Sequence, residues 1–328
     1  MKIFSCVSAI VLAGFALVAS AQTNPALAQA TSCSETSAGD AYLGISTIRL
    51  WPGDAPEAKG AGCDDIPTLS VMQPQPGHET GSAVIVIPGG AYIHLASILE
   101  GREVGDWFTA HGFTAFVLRY RLGPKYQLPV PLLDARRAVQ LVRARARDYH
   151  ISPDRITVIG FSAGGHLAAL SGTQPVPGKA DADDPIERVS SKPDYLVLGY
   201  PWIGAISPNT AHLTYCKLMN YLPEHPERCE EMRKAYSPDL FVTKDTPPTF
   251  IYHTTDDATV PVEQAVTFYE ALLKAGASGE LHIFAHGSHG SGMGSGNPAL
   301  DQWPGLLETW LRAEGLLSVD GSATGKKP

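Results

Sequence analysis

Ser162 stands in the run Gly160-Phe161-Ser162-Ala163-Gly164-Gly165, which follows a β-branched apolar run at 156–160 and opens a small-residue stretch. A glycine two residues to either side lets the chain turn sharply, so the serine hydroxyl can be lifted out of a sheet. The context is that of a nucleophile elbow. A serine attacks a carbonyl only when a base takes its proton, and that base needs a buried carboxylate to orient it. Both residue types follow downstream, in the order Ser, acid, His. Asp256 and Asp257 come after a strand-like run at 249–254, and His286 and His289 after another at 280–285. Spacing alone leaves both doublets open. His286 and His289 have no third ligand nearby to make a metal site, and this chemistry requires no cofactor. His166, one helical turn beyond Ser162, reads as a hydrogen-bonded helix residue and not as the base.

Acyl transfer also needs N–H donors aimed at the oxygen that becomes negative. The residue after the nucleophile, Ala163, supplies one. An early glycine-rich loop must supply the other, and Pro88-Gly89-Gly90-Ala91-Tyr92 follows the first long apolar run.

These parts need a scaffold that presents strand ends side by side. Continuous apolar runs at 83–88, 114–120, 156–160, 195–200, 249–254 and 280–285 predict strands covered on both faces. Between them, helices are expected near 101–111, 133–149, 163–172, 261–275 and 299–313. In the 133–149 stretch, Ala135, Ala138, Val139, Val142 and Ala146 share one face. Arg136, Gln140, Arg143 and Arg147 line the other, which reads as a solvated face. Such alternation predicts a largely parallel sheet with helices on both sides. Residues 203–246 break the rhythm. Lying after a strand end, where ligands of open α/β sheets bind, they read as a lid-like insertion.

Composition agrees with one large folded domain over 42–317. The 328 residues are 44% hydrophobic and 18% charged, and the net charge is −8. Without a basic run, nothing invites nucleic acid or an anionic membrane surface. Residues 1–21 have the charged start, apolar core and small-residue end (Ala19-Ser20-Ala21) of a signal peptide, with a second possible cut after Ala30. The expectation is a secreted or periplasmic protein, with a flexible lead-in at 22–41 and a disordered tail at 318–328. Cys33, Cys63, Cys216 and Cys229 then remain in an oxidising compartment. Locality favours Cys33 with Cys63 and Cys216 with Cys229.

The motifs together resemble the esterases of the acetyl-xylan and feruloyl type, related to the hormone-sensitive-lipase-like group. The likeness runs from Leu50-Trp51-Pro52-Gly53 to about Leu316. It takes in Pro88–Tyr92, Glu100-Gly101, Arg119-Tyr120-Arg121-Leu122, the Asp134–Ala138 run, the Gly160–His166 run, Gly199-Tyr200-Pro201, Asp257–Pro261 and His289-Gly290. The resemblance implies an α/β-hydrolase fold with Ser162, Asp257 and His289 as the triad. It also implies Gly90 and Ala91 as oxyanion donors beside Ala163. The wider group carries His where this chain has Pro88. The implied substrates are short-chain esters, acetyl above all, on a carbohydrate, with feruloyl esters or short-chain lipids as alternatives. By their own chemistry Tyr92, Trp202 and Tyr215 read either as aromatic faces for a sugar or as core residues. A serine peptidase would use the same triad but usually carries an N-terminal propeller. A non-catalytic binder typically loses a triad member, and this chain keeps all three.

Overall fold

The apolar runs form strands because β-branched residues pack well on a surface that is buried on both sides. The computed structural model describes residues 46–204, 216 and 226–317. Its strands are β1 (Ser46–Arg49), β2 (Thr68–Met72), β3 (Ala83–Ile87), β4 (Thr114–Arg119), β5 (Ile156–Phe161), β6 (Tyr195–Gly199), β7 (Thr249–Thr254) and β8 (Gly279–Phe284). They make one sheet in the order β1-β2-β4-β3-β5-β6-β7-β8. β2 pairs antiparallel with both β1 and β4, and all pairings from β4 to β8 are parallel.

Six α-helices cover the described parts: α1 (Glu103–Ala110), α2 (Val130–Ala144), α3 (Ala163–Thr173), α4 (Pro226–Ala235), α5 (Glu263–Ala275) and α6 (Trp303–Ala313). Alternate strand residues sort them onto two faces. Ile85, Val158, Leu198 and Ile251 pack with α2, α3 and α5. Val84, Ile159, Val197 and Phe250 pack with α1 and α6. A two-residue side-chain period thus builds two cores from one set of strands. All the parallel strands end on the same edge, so the loops after β3, β5, β7 and β8 come together there.

Two sequence readings need correction. The strands β1 and β2 are absent from the list of apolar runs, because Thr68 and Ser70 interrupt β2 although both are buried. The polar face of α2 is solvated only at its far end: Arg147, just past the helix, is exposed, but Arg136, Gln140 and Arg143 are engaged with other segments. Arg136 Nε donates to the Gln174 carbonyl at 2.9 Å, and buried Gln140 to that of Val189 at 2.9 Å. Arg143 bonds the carbonyls of Pro153 and Ser190 and pairs with Asp194 at 2.7 Å. The segment after α3 folds back over this helix and supplies the Gln174, Val189 and Ser190 carbonyls, while Pro153 lies in the loop before β5.

Candidate active site

The turn from β5 into α3 brings Gly160 and Gly164 into contacts that leave no room for a side chain at either position. Ser162 has φ 52° and ψ −121°, a conformation that L-residues rarely adopt. A Cβ on Gly164 would lie 2.1 Å from the Ile87 carbonyl oxygen, so α3 can approach β3 only with glycine there. Ser162 caps α3, and Ala163 is its first residue. By position that N–H has no partner within the helix.

The loops after β7 and β8 bring the other two groups to Ser162. His289 Nε2 lies 2.8 Å from Ser162 Oγ, and His289 Nδ1 lies 2.7 Å from Asp257 Oδ2. The carboxylate can only accept, so Nδ1 carries the proton and the Nε2 lone pair faces the serine hydroxyl. Asp257 Oδ1 accepts the N–H groups of Thr259 and Val260 at 2.8 and 2.9 Å. Burial pushes the Asp257 carboxyl up, but these hydrogen bonds and the His289 ring outweigh it and hold it below the usual range. The neighbouring doublet members form a separate, exposed pair. Asp256 Oδ2 lies 3.1 Å from His286 Nδ1, and Asp256 Oδ1 accepts the Gly287 N–H at 2.7 Å.

The loop after β3 carries three consecutive residues with positive φ: Gly90 (129°), Ala91 (55°) and Tyr92 (64°). A Cβ at Gly90 would sit 2.2 Å from the His94 carbonyl oxygen. The Gly90 carbonyl accepts the N–H groups of Ile93 and His94, closing the turn. Among the described residues, no acceptor is bonded to the N–H of Gly90 or Ala91. Gly89 differs, for its N–H donates to the buried carboxylate of Glu100 at 2.7 Å. Burial pushes the Glu100 carboxyl up, partly opposed by the Tyr200 hydroxyl and the Gly89 N–H. Sequence reasoning assigned neither Glu100 nor Tyr200 a role, although both stand in motifs that carry the resemblance.

Tyr92 is not an open sugar platform. Its side chain is 1% exposed, and its hydroxyl lies 2.7 Å from His166 Nδ1. Its ring meets Tyr120 and Trp202 edge-on. Its backbone directs the ring away from the open edge and into the core. Trp202 is also buried, and Tyr215 lies outside the described residues. His166 Nε2 is 2.6 Å from the Tyr236 carbonyl, which can only accept. The proton is therefore on Nε2, and the Tyr92 hydroxyl donates to Nδ1. Burial lowers the His166 pKa to about 4.

In the described part of the 203–246 insertion, Cys216 is disulfide-bonded to Cys229 of α4. Cys63 is also disulfide-bonded, and its expected partner Cys33 lies outside the described residues. The insertion is anchored below by the His166–Tyr236 contact and by Gln264, whose Oε1 accepts the N–H groups of Ile203 and Gly204 at 2.8 and 2.6 Å. Among the described residues, no group of three or more His, Cys, Asp or Glu is arranged to hold a metal ion. No described helix is long and apolar enough to cross a membrane.

The BD-FAE family model matches residues 69–272. An acetylxylan esterase of Xylanibacter ruminicola is 31% identical over 240 residues, 73% of this chain and 47% of its own length. Endo-1,4-beta-xylanase B of Butyrivibrio fibrisolvens is 31% identical over 210 residues, 63% of this chain and 32% of its own. The chain thus spans about half or less of these two curated relatives. Among solved structures, an acetyl ester-xyloside bifunctional hydrolase from Caldicellulosiruptor lactoaceticus aligns with TM-score 0.74 and 40% identity, covering 83% of this chain and 97% of that one. Propionate-bound esterase 2 of Thermogutta terrifontis aligns with TM-score 0.68 and 26% identity, covering 85% and 97%. The fold is that of the α/β-hydrolases.

Proposed function

This chain belongs to the BD-FAE family, and we propose that it is an exported serine carboxylesterase that removes short acyl groups, acetyl first, from carbohydrate. The observation that carries this reading is the relay Asp257–His289–Ser162, with 2.7 and 2.8 Å links, beside a loop with uncommitted N–H groups. Ser162 Oγ attacks the ester carbonyl carbon while His289 Nε2 takes its proton. The oxygen, now negative, is held by the N–H groups of Gly90, Ala91 and Ala163. The carbon–oxygen bond to the alcohol breaks, and His289 returns the proton to the departing alkoxide. Water, deprotonated by the same histidine, then attacks the acyl-enzyme, and the acid leaves as Ser162 regains its proton.

The acetyl preference draws on the acetylxylan esterase relative and on the acetyl ester-xyloside hydrolase neighbour. The esterase 2 neighbour has been solved with propionate and with butyrate, both short acids. Export draws on the signal-like residues 1–21 and on the Cys216–Cys229 disulfide. The 203–246 insertion, of which residues 205–215 and 217–225 lie outside the described residues, would serve as a lid-like, substrate-selecting segment.

Two measurements test the reading together. On p-nitrophenyl esters, kcat/KM should fall steeply from acetyl to butyryl to octanoyl, because a small rigid acyl site resists overfilling. On acetylated xylan, acetate should be released. A preference for octanoyl would move the protein to a lipase reading, and feruloyl release far above acetate release to a feruloyl esterase.

A further inference from the structure

We propose that Glu100 is a positioning residue, one that sets the oxyanion loop and ties it to the loop carrying His289. The inference rests on the proposed triad and oxyanion donors. Glu100 lies in the single π-helical turn Ile98–Arg102 that leads into α1, and it is 3% exposed. Both of its oxygens are used. Oε2 accepts the Gly89 N–H at 2.7 Å, and Oε1 accepts the Tyr200 hydroxyl at 2.7 Å. Tyr200 in turn accepts the Gly292 N–H at 2.9 Å, and its ring meets that of His289 edge-on at 5.0 Å. One carboxylate therefore bridges the ends of β3 and β6, and through Tyr200 the loop after β8.

The loop needs such a fixture. Three consecutive positive φ angles follow Gly89, and backbone strain of that kind persists only where the surroundings over-determine it. The Gly89 N–H bond sets the peptide plane from which Gly90 and Ala91 project. The approach to the nucleophile is set at the same point. A Cβ on Gly89 would lie 2.6 Å from Glu100 Oε2 and 3.0 Å from Ser162 Cβ. The carboxylate and the serine thus crowd the same face of the Gly89 Cα, where a side chain would otherwise stand. A buried carboxylate is costly unless both oxygens are bonded, and here both are. Glutamine would fill the same volume but turn an NH₂ toward one of the two donors.

The test compares wild type, Ser162→Ala, Glu100→Gln and Tyr200→Phe. Turnover of p-nitrophenyl acetate by wild type, lost in Ser162→Ala, first checks the esterase reading itself. Glu100→Gln should then lower kcat roughly 10²-fold with KM within about twofold, as expected when the misaimed donors serve an interaction made only in the transition state. Amide exchange in the peptide containing Gly89 should accelerate, a readout that needs no turnover and so stands if the esterase reading fails. Tyr200→Phe, which leaves the Gly89 bond in place, should lower kcat less, and it carries the test if Glu100→Gln does not fold. Unchanged kcat in the folded Glu100→Gln, or a loss seen only in KM or in Tm, overturns the proposal. So does unchanged exchange at Gly89, and so does a Tyr200→Phe variant with wild-type kcat where it alone carries the test.

Discussion

Asp256 and Asp257 are adjacent in the chain, yet their carboxylates reach different histidines of the same loop. Asp257 holds His289 at 2.7 Å with its side chain 1% exposed, whereas Asp256 meets His286 at 3.1 Å with the two side chains 50% and 80% exposed. The two loops are thus clipped together twice, once in solvent and once beneath it. Only the buried clip continues to Ser162. Water screens the outer pair, so its electrostatic effect is small, while the inner pair is shielded and reaches the Ser162 hydroxyl through His289 Nε2.

Ser162→Ala should lower kcat roughly 10⁵-fold or more, because nucleophile and base act as a unit. The fold should survive, since alanine removes only the oxygen from the turn. A fluorophosphonate should label wild type at Ser162 and leave the variant unlabelled. Labelling mapped to another serine would refute the assignment.

The two clips predict an unequal response to alanine. Asp257→Ala should cost roughly 10⁴-fold in kcat and His289→Ala at least as much. Asp256→Ala and His286→Ala should stay within about tenfold of wild type, as suits an exposed pair. Steady-state kinetics on one short ester decides the matter. A larger loss at Asp256 than at Asp257 would mean that the outer pair does the chemistry.

The parallel strands β3 to β7 were legible because each is a largely apolar run that the fold buries, and the site motifs because their spacing is tied to strand ends. By contrast β8, an edge strand carrying Glu280 and His282 with Ile283 exposed, is not covered on both faces as expected. β2 was not legible, since Thr68 and Ser70 are polar residues buried by their sheet partners. The arginines of α2 misled for a related reason. Periodicity separates apolar from polar faces, but it cannot tell water from the carbonyls of a returning segment. Tyr92 misled because its direction depends on a positive φ that composition does not reveal. Glu100 reads as one more acidic residue until the fold brings Gly89 and Tyr200 to it.

Arg121 and Asp134 form a buried pair whose loss should be felt as stability. Their contact is 2.6 Å, with side chains 1% and 0% exposed. Arg121 also donates to the Pro56 carbonyl and lies over the Trp51 and Tyr126 rings. It joins the stretch between β1 and β2 to α2. Arg121→Met leaves a buried carboxylate without its partner, which should cost about 3–5 kcal/mol. Urea denaturation measures this, and a cost below about 1 kcal/mol would show that Asp134 is neutral or otherwise satisfied.

His166 should make the fold acid-sensitive. Its ring is 1% exposed, donates from Nε2 to the Tyr236 carbonyl and accepts the Tyr92 hydroxyl at Nδ1, so the neutral form fits, and a second proton would both charge a buried ring and displace the bond that Nδ1 accepts. Burial puts its pKa at about 4 in the folded chain against an ordinary 6.5. Between those values the unfolded chain binds the proton and the folded chain does not. Stability from this group is therefore complete above pH 6.5 and declines as pH falls toward 4. The 2.5-unit difference corresponds to about 3 kcal/mol at most. His166→Gln can donate to Tyr236 and accept from Tyr92 but cannot titrate. The variant should therefore lose less stability than wild type between pH 7 and pH 4.5, whatever its stability at pH 7. Denaturant midpoints across that interval make the comparison, and equal losses in the two proteins would show that His166 titrates alike in the folded and unfolded chains.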